Sequence, residues 1–370
     1  MAIKILTVIG ARPQFIKACP FSMAVSQNNQ ISECVVHTGQ HYDPAMSDVF
    51  FYELGIRAPD YNLGIGSGTH GCQTGRMIEK IEEIISVEKP DLTVVFGDTN
   101  STVAGAVASA KLDIPVAHIE AGMRNGEQHM PEEINRKVTD RISSLFFCPT
   151  RTAVDNLKKE GIQENVHLVG DIMVDSFFMF NEIARKKSSV IEKFDLAGKK
   201  FAVLTVHRAE NTGDRTKLLN ILKGCSESGL TTLFPVHPGT KKVIESGIDV
   251  PKGIIMCDPV SYLDMLALLN SAEIVVTDSG GIQKEAYLAG TPCLTARNST
   301  EWPETVEYGW NKLVGFDAEQ IRNSMREIKH PEHRPDFLGK SGLTFEIVGI
   351  INICIENMKA DRLIKRAFCK

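Results

Sequence analysis

The sequence predicts an α/β protein built from two doubly wound domains that face each other across a cleft. Three observations carry this. Short apolar runs alternate with longer amphipathic stretches, the pattern of a parallel sheet covered on both faces. The alternation breaks once, in a polar stretch over 184–200 that carries Lys186, Lys187, Lys193, Lys199 and Lys200, and then restarts. At 370 residues the chain is long for one core and comfortable for two.

Taken in order, the apolar runs before the break lie at 3–9, 33–37, 92–96, 116–119, 145–148 and 166–169. The clearest helical pattern between them is Met77, Ile78, Ile81, Ile84 and Ile85, which recurs every three to four residues. After the break, runs at 201–206, 233–236, 254–257, 274–276 and 292–295 repeat the scheme, and 344–370 reads as a helix. The expected division is 1–169, joined by a C-terminal helix over 350–370, and 170–349.

Composition narrows the function. Hydrophobic residues make up 43% and charged residues 24%, as in an ordinary globular protein. A net charge of -5 argues against nucleic acid as the main partner. No apolar stretch approaches the roughly 18 residues of a membrane span, and no membrane partner is expected. The short apolar start ends at Gly10-Ala11-Arg12-Pro13 and does not read as a signal peptide. Nine unpatterned cysteines read as free thiols in a reducing compartment, so a cytoplasmic protein is expected.

In open parallel sheets, ligands sit at the carboxyl ends of the strands. The first run ends in Gly10-Ala11-Arg12-Pro13, where a glycine turn and a helix start suit an anion, with Arg12 adding charge; a tight turn with a surface arginine reads equally well. Asp98, in Gly97-Asp98-Thr99, suits a helix cap or chemistry. Glu120 directly follows an apolar strand, which a solvent-facing role does not explain. Glu132 and Glu133 follow Pro131 and suit the positive end of a helix. His207 ends a run in the second half and is a candidate acid or base, although a lone histidine is more often structural. The His and acid spacings match no zinc pattern, so no metal is expected. In Asp278-Ser279-Gly280-Gly281 the paired glycines allow close backbone approach at a helix N-terminus, which fits a phosphate, and Glu285 one turn on could accept from a ribose.

Together these motifs resemble the non-hydrolysing UDP-N-acetylglucosamine 2-epimerases. The carrying residues are Gly10-Ala11-Arg12-Pro13 with Lys17, Gly97-Asp98-Thr99, His118-Ile119-Glu120-Ala121-Gly122, Pro131-Glu132-Glu133, His207-Arg208 and Asp278-Ser279-Gly280-Gly281-Ile282-Gln283. The resemblance runs over nearly the whole chain. It implies the GT-B architecture, a homodimer, a UDP-sugar substrate and a cofactor-free reaction that eliminates UDP across C1–C2, adds it back and reprotonates C2 on the other face. By motif match, Arg12, His207, Arg208, Ser279, Gly280, Gly281 and Glu285 would hold UDP, while Lys17, Asp98, Glu120, Glu132 and His207 would surround the sugar.

Some positions depart from the familiar members. Gln14 stands where those have an acid, the loop over 124–131 is short, Met265 replaces an aromatic residue expected at the uracil, and Gly66-Ser67-Gly68 carries no arginine. Gln40-His41 fits the allosteric UDP-sugar site, but Tyr42-Asp43-Pro44 does not. These changes resemble the branch acting on UDP-2,3-diacetamido-2,3-dideoxy-glucuronic acid. An acid at 14 would repel a uronate, whereas Gln14 could donate a hydrogen bond to it. A hydrolysing 2-epimerase, a GT-B glycosyltransferase and a nucleotide-sugar sensor are the alternatives. A sensor would not need Asp98, Glu120 and Glu132 together.

Overall fold

The computed structural model describes residues 3–40 and 57–368. The chain forms two compact α/β units, Met1–Ser176 with Phe337–Lys370, and Phe177–Asp336. In the first, β1 (Ile3–Ile9), β2 (Ile31–His37), β3 (Tyr61–Asn62), β4 (Leu92–Phe96), β5 (Val116–Ile119), β6 (Leu145–Cys148) and β7 (Val166–Leu168) form one parallel sheet in the order β3-β2-β1-β4-β5-β6-β7. In the second, β8 (Phe201–Thr205), β9 (Thr231–Pro235), β10 (Ile254–Cys257), β11 (Ile274–Thr277), β12 (Cys293–Thr295) and β13 (Asn311–Leu313) pair in the order β10-β9-β8-β11-β12-β13, again all parallel.

Both orders reverse direction once, between β1 and β4 and between β8 and β11. At such a reversal the connections leave in opposite directions, so the loops part and open a crevice at the strand ends.

The strands read as continuous apolar runs because helices cover both faces. Alternate residues of β1 serve different cores: Ile3, Ile5 and Ile9 pack with Phe15 and Phe21, whereas Leu6 and Val8 pack with Met77 and Ile81. In β8, Ala202 and Leu204 join one core, and Phe201 and Val203 the other. The C-terminal helix Leu343–Phe368 belongs to the first unit, where Ile347, Val348, Ile351 and Ile355 enter the core of β1. Its start is tied down by Asp175, which accepts from Gly342 N at 2.6 Å and from Thr344 N and Oγ1 at 2.8 Å.

The polar stretch over 184–200 is partly helical. The helix Met173–Lys187 runs into it, with Phe177, Phe180 and Ala184 buried along one side, and Val190–Lys193 adds a short helix. The division of the chain between the units falls within that first helix, between Ser176 and Phe177. The strands β3 and β13 gave no signal in the sequence, because two or three residues at a sheet edge carry no period.

Candidate active site

In the first unit the loops after β4 and β5 gather charge. Lys17, on the helix Arg12–Ser26, is 8% exposed and pairs with the carboxylate of Glu120. Glu120 follows β5 with φ of 73°, a left-handed conformation that a non-glycine residue adopts at a cost, and this turn aims its side chain at Lys17. Gly97 ends β4 with φ of 64°; a Cβ there would lie 3.2 Å from Glu120 Oε2 and 3.4 Å from Lys17 Nζ. The glycine thus leaves room for the pair.

Asp98 does not cap the next helix, so the capping reading is corrected. Thr99 does that, accepting from Thr102 N at 3.3 Å. Asp98 Oδ2 instead accepts from Arg136 Nε at 3.0 Å and Nη2 at 2.8 Å, a two-pronged contact. The other arm of the same guanidinium reaches Glu133 Oε2 at 2.6 Å. Glu133 is therefore buried in an ion pair, while Glu132 is half-buried and bonds to none of the described residues. Glu133 is thus more than a response to the helix dipole, whereas Glu132 keeps its place in the first turn of that helix.

Beneath these groups lies a buried ion pair. His118 Nε2 meets Gly97 O at 2.7 Å, and its Nδ1 meets Asp140 Oδ1 at 2.7 Å. Both ring nitrogens face acceptors. Asp140 Oδ2 also accepts from Arg124 Nη1 at 2.8 Å and Gly122 N at 3.2 Å. Burial pushes the Asp140 carboxyl up, but the His118 charge and hydrogen bond and the Arg124 guanidinium outweigh it and hold the group below the usual carboxylate range.

At the first helix start the Gly10 and Ala11 N–H groups are already engaged within the chain. Gly10 is a glycine because Thr38 and Ser101 crowd the place of a Cβ. Its N–H and that of Ala11 donate to Gln14 Oε1 at 2.9 and 3.0 Å, so neither is available to a phosphate. Gln14 Nε2 donates to Phe96 O and Thr102 Oγ1, both at 3.0 Å. The side chain is buried with its donors and acceptor engaged, and it cannot donate to a uronate as expected. Arg12 retains its half-buried guanidinium at the helix start. Gln40 Oε1 accepts from Ser101 N at 3.0 Å and Oγ at 2.7 Å; His41, Tyr42, Asp43 and Pro44 lie outside the described residues. Met265 is part of the core, packed with Leu268 and Leu269.

In the second unit, Asp278 at the end of β11 is buried and organises the loop after β8. It accepts from His207 N at 3.1 Å, Arg208 N at 2.9 Å and Asn211 Nδ2 at 3.1 Å. The His207 ring is 3.4 Å from the same carboxylate, and its side chain is 42% exposed. Ser279 caps the helix Gly280–Ala289. A Cβ on Gly280 would make ordinary contact with Glu301 Oε2 at 3.4 Å, and one on Gly281 would meet only Ser279 Oγ at 3.8 Å. Neither glycine has a positive φ, so the fold itself demands glycine at neither position. Arg208 and the buried Arg297 both pair with Glu301, and Glu285 is buried on the same helix.

Sequence reasoning missed Arg136, Asp140, Glu301 and Arg297, and it quoted His118 and Glu133 without giving them their partners. A signal existed for three: Glu133, Arg136 and Asp140 are spaced three and four apart, which puts them on one helix face. Among the described residues no cluster of three His, Cys, Asp or Glu side chains could hold a metal ion.

The fold and these strand-end groups define a two-domain α/β enzyme of the GT-B class, with paired acids and bases in one unit and a glycine-bounded helix start in the other. The class is supported by a spinosyn rhamnosyltransferase structure at TM-score 0.51 and 12% identity, a likeness of fold alone. The family model described as UDP-N-acetylglucosamine 2-epimerase matches residues 23–340. A UDP-N-acetylglucosamine 2-epimerase homolog of Methanococcus maripaludis is 46% identical over 94% of this chain and 99% of its own. The UDP-2,3-diacetamido-2,3-dideoxy-D-glucuronate 2-epimerase of Pseudomonas aeruginosa is 49% identical over 87% of this chain and 91% of its own. The crystal structure of Methanocaldococcus jannaschii UDP-GlcNAc 2-epimerase, in complex with UDP-GlcNAc and UDP, matches at TM-score 0.88 and 41% identity, covering 95% of this chain and all of that one. This chain belongs to the UDP-N-acetylglucosamine 2-epimerase family, a family of isomerases. No helix among the described residues is long and apolar enough to cross a membrane.

Proposed function

We propose that this enzyme inverts C2 of a UDP-2-acetamido sugar by eliminating UDP and adding it back. The observation that carries the reading is the pair of charge couples at one sheet reversal, Lys17 with Glu120 and Asp98 with Arg136. Elimination needs a base to take the C2 proton while the C1–O bond breaks and its electron pair leaves with UDP. Return needs UDP to attack C1 and an acid to protonate C2 on the other face. Two faces need at least two acid–base groups, and Asp98, Glu120 and Glu132 supply three. The half-reactions balance without redox change, so the chemistry calls for no cofactor.

UDP retention falls to Arg12, His207, Arg208, Ser279, Gly280, Gly281 and Glu285. The two glycines support this, since the fold leaves space where side chains would fit. A helix N-terminus there favours a diphosphate. We further propose a homodimer acting in the cytoplasm on precursors of surface polysaccharides.

For the particular sugar we propose one modified at C3 or C6, such as the diacetamido uronate. Gln14 no longer supports this; the short loop over 124–131 and the Pseudomonas relative do. The test is incubation with each UDP-sugar in heavy water, followed by NMR. The expected result is an epimer with deuterium at C2, formed faster from the diacetamido uronate. Release of free sugar would mean a hydrolase. Absence of exchange at C2 would refute the mechanism, and faster turnover of UDP-N-acetylglucosamine would refute the substrate.

A further inference from the structure

The inference concerns Trp302 and rests on the reading that a diphosphate binds at Ser279 and Gly280. Trp302 precedes the short helix Pro303–Glu307 and is 3% exposed. Its backbone N–H donates to Thr300 Oγ1 at 3.1 Å. Its indole Nε1 would lie 3.9 Å from a Cβ placed on Gly280 and bonds to none of the described residues. The nitrogen is not among the buried polar atoms left without a partner, so solvent reaches it. An indole N–H can only donate, and it stands beside the Gly280 opening as a donor for an acceptor from outside the chain.

A second feature says what kind of acceptor. Lys284 Nζ stands over the Trp302 ring, 4.1 Å from its centroid, and is itself only 2% exposed. A cation held on the ring face draws π density toward itself. The N–H at the ring edge becomes a stronger donor and is matched to a negatively charged oxygen. The other group beside the opening, Glu301, would repel an anion if its charge were unmet. Arg297 Nη1 holds both of its oxygens, at 3.2 and 2.9 Å, and Arg208 Nη2 lies 3.4 Å away.

We propose that the Trp302 indole N–H donates to a phosphoryl oxygen of the nucleoside diphosphate at Gly280, with Lys284 as the positioning residue that strengthens the bond. Trp302→Phe keeps a ring face for Lys284 and removes only the donor. Calorimetry on the full chain should show UDP binding about tenfold weaker, the scale of a hydrogen bond to a charged group, with uridine binding unchanged. Lys284→Met should weaken UDP in the same direction and again spare uridine. The proposal is overturned if Trp302→Phe binds UDP as the wild type does, or loses uridine equally. Gly280→Val separates this from the reading beneath it. If that variant keeps wild-type UDP affinity, the diphosphate lies elsewhere and both fall. If it loses UDP while Trp302→Phe does not, only the role of Trp302 falls.

Discussion

Replacing Asp140 with asparagine should weaken the first unit from its centre. The side chain is fully buried and accepts from three donors: His118 Nδ1 at 2.7 Å, Arg124 Nη1 at 2.8 Å and Gly122 N at 3.2 Å. Asparagine keeps the shape but has one acceptor oxygen. If that oxygen serves His118, its NH2 group turns toward Arg124 and Gly122, donor against donor. Removing one member of a buried ion pair costs about 3–5 kcal/mol. Arg124 retains Glu160, to which its Nη2 lies at 2.7 Å, so the lower end, about 3 kcal/mol, is expected. The effect depends on pH in a defined direction. Asp140 has its folded pKa depressed, so its contribution is complete above the unfolded carboxylate value and is lost as pH falls through the folded one. The variant should therefore lose stability at neutral pH and show a flatter acid limb. Urea titration followed by circular dichroism at several pH values measures both, and faster hydrogen exchange at Gly122 would locate the change. A loss under about 1 kcal/mol with an unchanged acid limb would refute the argument that a buried charge pair holds this loop.

Two further outcomes follow from the same geometry. Asp98→Asn, Glu120→Gln and Glu132→Gln should each lower turnover by about 10²-fold or more while UDP affinity is kept, and normal turnover of all three in a direct epimerisation assay would reduce these acids to structural roles. Gln14→Ala should cost about 3 kcal/mol in urea titration, because it strands the Gly10 and Ala11 N–H groups in the core; a neutral result would mean that water replaces the amide.

Much of the architecture was legible in the residues. Runs such as Ile3–Ile9 and Leu92–Phe96 announce buried parallel strands, because a strand covered on both faces has no polar side to show. Ser279-Gly280-Gly281 marked its helix start correctly, since Ser279 is the cap. Gln14 was misread. From the sequence it is a polar residue near a presumed ligand; in the structure it closes a helix end on itself.

By itself, then, the sequence determined what depends on period and order along the chain: two doubly wound sheets, their strand ends, and the residues Asp98, Glu120, His207 and Ser279 that those ends carry. Tertiary structure alone decided who meets whom. Lys17 and Glu120 are separated by 103 positions and Asp98 and Arg136 by 38, and only the crossing of β1, β4 and β5 in one sheet brings them within bonding distance. Whether a carboxylate caps a helix, balances a cation or stands without a bond depends on that meeting. Charge interactions fall off with distance through space and are indifferent to distance along the chain.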